Sequence, residues 1–305
     1  MRKWAPKPTT ILLCLALFLF FLIVRFPYRN LSGMLFSRIH KESGISILAE
    51  DMYVSLLGWP GIGLRNVDVS IPLGTSTDLD LFSERLILRV GLGSLFPPSP
   101  SVSLSMKKLK KGGDLFIKFS QTATKIDASI EGDTVDLSQL RLSSFPSSVD
   151  GILTAETDIA TDTADLAQTS GTIDLGIKKL KLPNFPIPAY GFVIPAMMVG
   201  PLRAKIRIRN GTMELQTFQF GGDGSDLSGT LSGDIRLGQT FYNSALNVTL
   251  KLNFSEQIKN NSQSITMLSF LNSFKNEKTG GYAIKCSKSV PELVNCLLVP
   301  EKVAD

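Results

Sequence analysis

The chain has 305 residues, of which 43% are hydrophobic and 19% charged, with a net charge of +5. Leu, Ile, Val and Phe are plentiful enough to build a core, which excludes a disordered chain. A charge of only +5, without zinc-finger spacing or an RNA-binding aromatic motif, gives no nucleic-acid partner.

Residues 1–8 carry Arg2, Lys3 and Lys7, and Ile11 to Val24 has no polar side chain apart from Cys14. Those residues would rise about 21 Å as a helix, short of a ~30 Å hydrocarbon core. Thr9 to Phe26 extends the span to about 27 Å, with Arg25 free to snorkel and Trp4 and Tyr28 as interfacial aromatics. A cleaved signal peptide is the rival reading, but no small-x-small site precedes Arg25 or Arg29. A bacterial lipoprotein is disfavoured because Leu13, before Cys14, is not small. The expectation is a cytoplasmic segment 1–8, an uncleaved anchor 9–26 and export of the chain from residue 29 onward.

Residues 27–44 place Leu31, Met34, Leu35 and Ile39 at helical spacing, with Gly44 as a stop. This predicts a short amphipathic helix, lying against the bilayer or packed on the next domain. It carries the only histidine, His40. With no second histidine, no GxSxG, HExxH, P-loop or GxGxxG motif, and Cys14 inside the apolar span, the reading is not an enzyme, and no cofactor or metal is expected.

From Ile45 to about residue 255, apolar residues recur with period two. Leu86, Leu88, Val90 and Leu92 share a face; so do Val102, Leu104 and Met106, then Leu115, Ile117 and Phe119, then Ile126, Ala128 and Ile130. Ile173, Leu175 and Ile177 repeat the scheme, as do Leu202, Ala204, Ile206 and Ile208. Such alternation makes one dry and one wet face, as in antiparallel sheets. Turn residues separate the runs at 110–114, 131–133, 209–211 and 221–224. The acidic stretch 158–168 reads as a solvated loop. About thirteen strands are expected, with helices only at 29–43 and 256–274. The fold class is mainly β, a long curved antiparallel sheet after the anchor and helix, forming either a groove or a sandwich.

Several stretches stand out. Lys107 to Lys111 sits at an expected hairpin end. Leu182 to Pro201 is apolar but punctuated by Pro183, Pro186, Pro188 and Pro195, too Pro-rich for a central strand, and would cap the sheet or form a binding lip. Arg203, Lys205, Arg207 and Arg209 line the wet face of one strand, either as solubilising charge or as a contact for lipid headgroups or acidic partners. Gly221 to Asp226 resembles a calcium β-roll turn, but Ser228 stands where a large apolar residue is needed and there is a single copy. The turn leads into Leu227, Gly229, Leu231, Gly233, Ile235 and Leu237 on one face. Leu246, Val248, Leu250 and Leu252 form the matching face of the next run. Together these ten residues are the candidate apolar groove, and the glycines leave space for a close neighbour such as another sheet, a bend, or a ligand such as an acyl chain. Cys286 and Cys296 lie close enough in an exported chain to form a disulfide, which would contribute roughly 2–3 kcal/mol. Residues 256–305 form a C-terminal extension.

The order of FPYRNLSGMLFSRIHKESGISI, GIGLRNVDVSIP, GPLRAKIRIRNGTMEL and FQFGGDGSDLSGTLSGDIRLGQTFYNSALNVTLKLNFSE resembles the type II secretion system protein N family, in its spirochaete and deltaproteobacterial form. The resemblance covers roughly residues 10–255. It implies a bacterial inner-membrane protein with a periplasmic domain, an accessory part of the type II protein secretion machine that contacts the other components. It supplies no catalytic motif. The same Gly-spaced cadence is similar to AsmA-like proteins, which implies a β-groove holding phospholipid acyl chains and moving lipid between membranes. Cys286, Cys296 and residues 256–305 lie outside both resemblances.

Overall fold

The computed structural model describes residues 44–289 apart from 56–60, 73–77, 91–100, 110–111, 123, 140, 143–148, 163–164, 188–191, 239–242, 262–263 and 277–279. Before residue 44 it describes only 17, 33, 36–38 and 40–41. The expected anchor 9–26, Leu17 apart, and most of the helix at 27–44 therefore lie outside the described residues, as do Cys14 and Cys296. Among the described residues no helix is long and apolar enough to cross a membrane. Phe36 to Arg38, His40 and Lys41 are helical. The helix stops where the sequence places its end: Gly44 has φ 74° and its N–H donates to the His40 carbonyl at 2.8 Å, a left-handed cap that glycine adopts without steric cost.

The strands are β1 (Ser46–Ser55), β2 (Gly61–Pro72), β3 (Asp78–Val90), β4 (Ser101–Leu109), β5 (Asp114–Gln121), β6 (Lys125–Asp136), β7 (Arg141–Leu142) and β8 (Asp150–Asp162). They continue with β9 (Ser170–Leu182), β10 (Phe185–Ile187), β11 (Phe192–Ile194), β12 (Met197–Arg209), β13 (Thr212–Phe220), β14 (Leu227–Arg236), β15 (Ala245–Phe254) and β16 (Tyr282–Cys286). Two short helices, α1 (Glu256–Lys259) and α2 (Ser264–Leu271), lie between β15 and β16.

Thirteen strands form one antiparallel sheet in the order β1-β2-β3-β4-β5-β6-β8-β9-β12-β13-β14-β15-β16. Each pairs with the one before it among these thirteen, so the sheet is a meander, interrupted by β7 between β6 and β8, by β10 and β11 between β9 and β12, and by the helical segment before β16. β7 folds back to pair with β3 beyond the end of β4, at Leu79↔Leu142 and Asp80↔Arg141. β10 and β11 form a separate hairpin, which is what the proline-broken stretch from Leu182 becomes, while its end, from Met197, is already β12. Of the two expected architectures, the described residues contain the single long sheet and no second sheet large enough for a sandwich.

Two expectations about loops are corrected. Glu131 to Asp133 is not a turn but the interior of β6, and Asp158 to Asp162 belongs to β8, with a 3-10 turn only at Leu166–Gln168. Lys107 to Leu109 ends β4, and the turn falls inside the expected 110–114, at Gly112 and Gly113 with φ 108° and 98°. The turn at Asn210-Gly211 is where the sequence places it: φ 47° and 70° give the hairpin geometry whose twist matches the flanking strands.

A break in the alternation explains how one sheet makes a core. In six strands two successive exposed residues stand between inward ones: Glu50-Asp51, Arg65-Asn66, Glu84-Arg85, Lys107-Lys108, Asp133-Thr134 and Lys178-Lys179. Asn66, Lys108, Thr134 and Lys179 have φ near 50° (47°, 50°, 50° and 55°). Each shifts the inward parity of its strand by one and bends it: at Thr134 and Lys179 through a bulge, where the register shifts, and at Asn66 and Lys108 without one, because the paired strand carries its own exposed pair and the register is kept. The pairs lie side by side, with Asp51, Arg65, Arg85 and Lys107 in register and Lys108 bridging to Glu84 at 3.6 Å. A line of bends therefore runs across the sheet. On its far side Val67, Val69, Leu81, Leu109 and Val135 turn inward to join Met52, Leu64, Leu86 and Met106, with Phe36 of the N-terminal helix packed against them.

Thr134 carries the least suitable side chain of the four, because a β-branched residue is strained in the left-handed region. Thr134→Asn is expected to raise stability by about 0.5–1 kcal/mol, read as a higher midpoint in urea with an unchanged slope.

Candidate functional site

Residues directly opposite in an antiparallel ladder share a face, so the register traces how far an apolar stripe extends. Val54, Ile62, Leu88, Leu104 and Ile117 are in register across β1 to β5. Ile117 meets Ile130, which meets Thr157, which meets Ile173. Ile173 meets Ile206, then Leu215, Gly233, Val248 and Cys286. One unbroken row thus crosses all thirteen strands, and its sole polar member is Thr157. At about 4.8 Å per strand it runs roughly 58 Å. A second row accompanies it through Val102, Phe119, Ala128, Ile159, Gly171, Ile208, Met213, Ile235 and Leu246.

The two ends of this face are covered, and Ala204, Ile206 and Ile208 of β12 are buried as well; the open stretch lies on β5 to β9. At one end lies the core around Met106 and Val67. At the other, Ile258, Met267, Leu268, Leu271 and Phe274 from the helical segment pack with Met197, Phe254, Tyr282 and Ile284. Ser255 caps α1, its hydroxyl accepting from the Ile258 N–H at 3.4 Å, and Phe254 meets Tyr282 edge-on with ring centres 5.5 Å apart. Between the ends, Ile117, Ile130, Ile173 and Leu215 belong to neither core. Ile130 and Phe119 are each 37% exposed. Among the described residues no helix and no second sheet lies over them.

The ten candidate groove residues fall on this face as expected, with one adjustment. Leu227↔Phe254, Gly229↔Leu252, Leu231↔Leu250, Gly233↔Val248 and Ile235↔Leu246 are direct pairs. Leu237 lies just past the end of β14, its N–H donating to the Gly211 carbonyl. Leu227, Leu250 and Leu252 pack under the helical segment, and Ile235, Leu246 and Val248 pack around Cys286. The candidate groove is thus the covered end of a longer face whose open part lies further back, on β5 to β9. The signal for that part was the same alternation in Ile117, Ile130 and Ile173, repeated through the chain.

Of the occupants that the sequence leaves open for the space at the glycines, the close neighbour is the one present. A Cβ on Gly229 would meet the Lys251 carbonyl oxygen and, at 2.7 Å, the Phe220 ring. A Cβ on Gly233 would meet the Asn247 carbonyl oxygen. The neighbouring strand and an aromatic ring fill these places, not an acyl chain. The preceding loop is structural too. The Asp226 carboxylate accepts from the Met198 N–H at 2.8 Å and from the Ser255 hydroxyl at 3.3 Å, tying β12 to the cap of α1. Among the described residues no cluster of metal-ligating side chains occurs.

Arg203, Lys205, Arg207 and Arg209 do line the polar face. Lys205 lies opposite Asp174, 4.0 Å away, and Arg207 is in register with Glu214, so part of this charge is matched within the sheet. Cys286 is disulfide-bonded, and its partner lies outside the described residues. No family model, curated protein or solved structure matches the chain.

Proposed function

We propose that this chain binds lipid acyl chains along the apolar face of its sheet, held at a bacterial inner membrane by residues 9–26 with the sheet on the periplasmic side. The observation that carries the reading is the apolar row across thirteen strands with an uncovered middle. A single-layer sheet in water gains nothing from one continuous apolar face unless something covers it, and large uncovered apolar patches mark binding surfaces. The open part of the row, from Ile117 to Ile173 over four strands, runs about 14 Å, close to one leaflet's half of a bilayer's ~30 Å hydrocarbon thickness, so it offers room for an acyl chain laid across the strands. The curl imposed by the line of bends would make this face a trough. No side chain on it offers catalysis, so the reading is of a carrier, not an enzyme. An accessory role in type II secretion rests on the sequence resemblance alone.

The test is purification of the full chain in mild detergent, followed by lipid mass spectrometry and identification of co-purifying proteins. The expected result is phospholipid that stays with the chain through purification. Secretion-machine components without lipid would reverse the reading.

A further inference from the structure

On the opposite, polar face, β1 to β6 enclose a cleft of about 810 Å³. One wall is cationic. Arg65 and Arg85 lie directly opposite each other, and Arg85 faces Lys107 on its other side; Arg89 joins them. Like charges in direct cross-strand register repel. Among the described residues none of these four forms an ion pair, and the one contact they make through charge is Arg65 over the Tyr53 ring at 5.1 Å. The other wall carries Glu131 and Asp133, which likewise lack a cationic partner among the described residues. A third carboxylate, Asp114, is engaged by the Lys108 N–H at 2.9 Å. Asp51 of β1 stands opposite Arg65, so the cationic wall is matched at one edge only, and the two walls of opposite sign do not close on each other.

We propose that this cleft binds a zwitterion that joins a phosphate to a primary amine. Two guanidinium forks and an ammonium on adjacent strands suit a phosphate, which arginine holds through paired hydrogen bonds. The carboxylates of Glu131 and Asp133 then meet the amine. The same chemistry is found in free phosphoethanolamine and in the headgroup of an ethanolamine phospholipid. This site lies on the other face of the sheet from the acyl-binding stripe and does not depend on it: a chain stripped of lipid keeps it.

Titration of the full chain in maltoside detergent with phosphoethanolamine, inorganic phosphate and soluble dihexanoyl phosphatidylethanolamine, followed by phosphorus NMR, tests this. Saturable binding of phosphoethanolamine is expected. Arg65→Ser with Arg85→Ser, both at exposed positions, should weaken it by about tenfold or more. Glu131→Gln with Asp133→Asn should weaken phosphoethanolamine but tighten inorganic phosphate, a change of opposite sign that unfolding cannot produce. Arginine-dependent binding of the dihexanoyl lipid without binding of phosphoethanolamine upholds the site and assigns it to a lipid headgroup. The proposal is overturned if neither phosphoamine binds saturably, if the arginine variant binds as well as the parent, or if the carboxylate variant moves both soluble probes in the same direction.

Discussion

Gly233→Ala is expected to destabilise the folded chain by about 2–4 kcal/mol, whereas Gly224→Ala should cost only about 1 kcal/mol. Both glycines have positive φ, 123° and 80°, so both substitutions meet the left-handed penalty that an L side chain carries. The difference lies in what the new methyl group touches. At Gly224 nothing lies within 4 Å. At Gly233 the methyl meets the Asn247 carbonyl oxygen and, at 2.9 Å, the Val248 Cα. These are backbone atoms of the paired strand, held by the ladder from Leu227↔Phe254 to Arg236↔Ala245, and they cannot swing aside as a side chain would. β14 must then part from β15, and with it goes the pairing that places Val248 and Cys286 at the end of the apolar row. For a domain of this size a loss of 3 kcal/mol lowers the melting temperature by roughly 6–12 °C. Thermal melts of the two variants, followed by far-ultraviolet circular dichroism, measure the contrast. Equal and small shifts would mean that the strands at Gly233 are more loosely paired than the geometry implies.

The periodicity of the sequence carried most of the sheet, and its failures share one physical cause. Strict period two reads Leu246 to Phe254 and Leu202 to Ile208 without ambiguity, and both are strands with those residues facing inward. It fails where two polar residues stand side by side. Lys107-Lys108 and Asp133-Thr134 look like strand ends, because an uninterrupted strand would put one of each pair into the core. The left-handed residue resolves the conflict by shifting the parity, and β4 and β6 run on through Leu109 and Val135. Non-glycine residues carry no signal for that conformation, so the bend line was not legible strand by strand. It becomes legible when Arg65-Asn66, Glu84-Arg85 and Lys107-Lys108 are aligned as neighbours, which requires the register. The candidate groove was incomplete for a related reason. Gly229 and Gly233 read as gaps in the sequence, whereas their glycine character is set by Phe220 and by β15. Ile130, an ordinary member of an alternating strand, lies at the open centre of the face.

That centre is where substitution should affect ligand and not fold. Ile130→Glu combined with Phe119→Glu is expected to reduce co-purified lipid by about tenfold or more, with little change in melting temperature. Each side chain is 37% exposed and neither belongs to a core cluster, so little packing is lost. Each would place a carboxylate against any acyl chain lying on the row, and burying an unpaired charge in hydrocarbon costs far more than the lost apolar contact. Thr157→Val gives the converse. It replaces the one polar residue in the row with a β-branched side chain of similar shape, restores apolar continuity between Ile130 and Ile173, and should raise lipid occupancy. Changing Arg203, Lys205, Arg207 and Arg209 to serine alters only the polar face and should leave acyl binding as it was. The three variants therefore separate an acyl-binding face from a general attraction of the chain for membrane. In the second case the serine variant would lose lipid and the glutamate variant would keep it, because net positive charge, not the apolar row, would be holding the lipid in place.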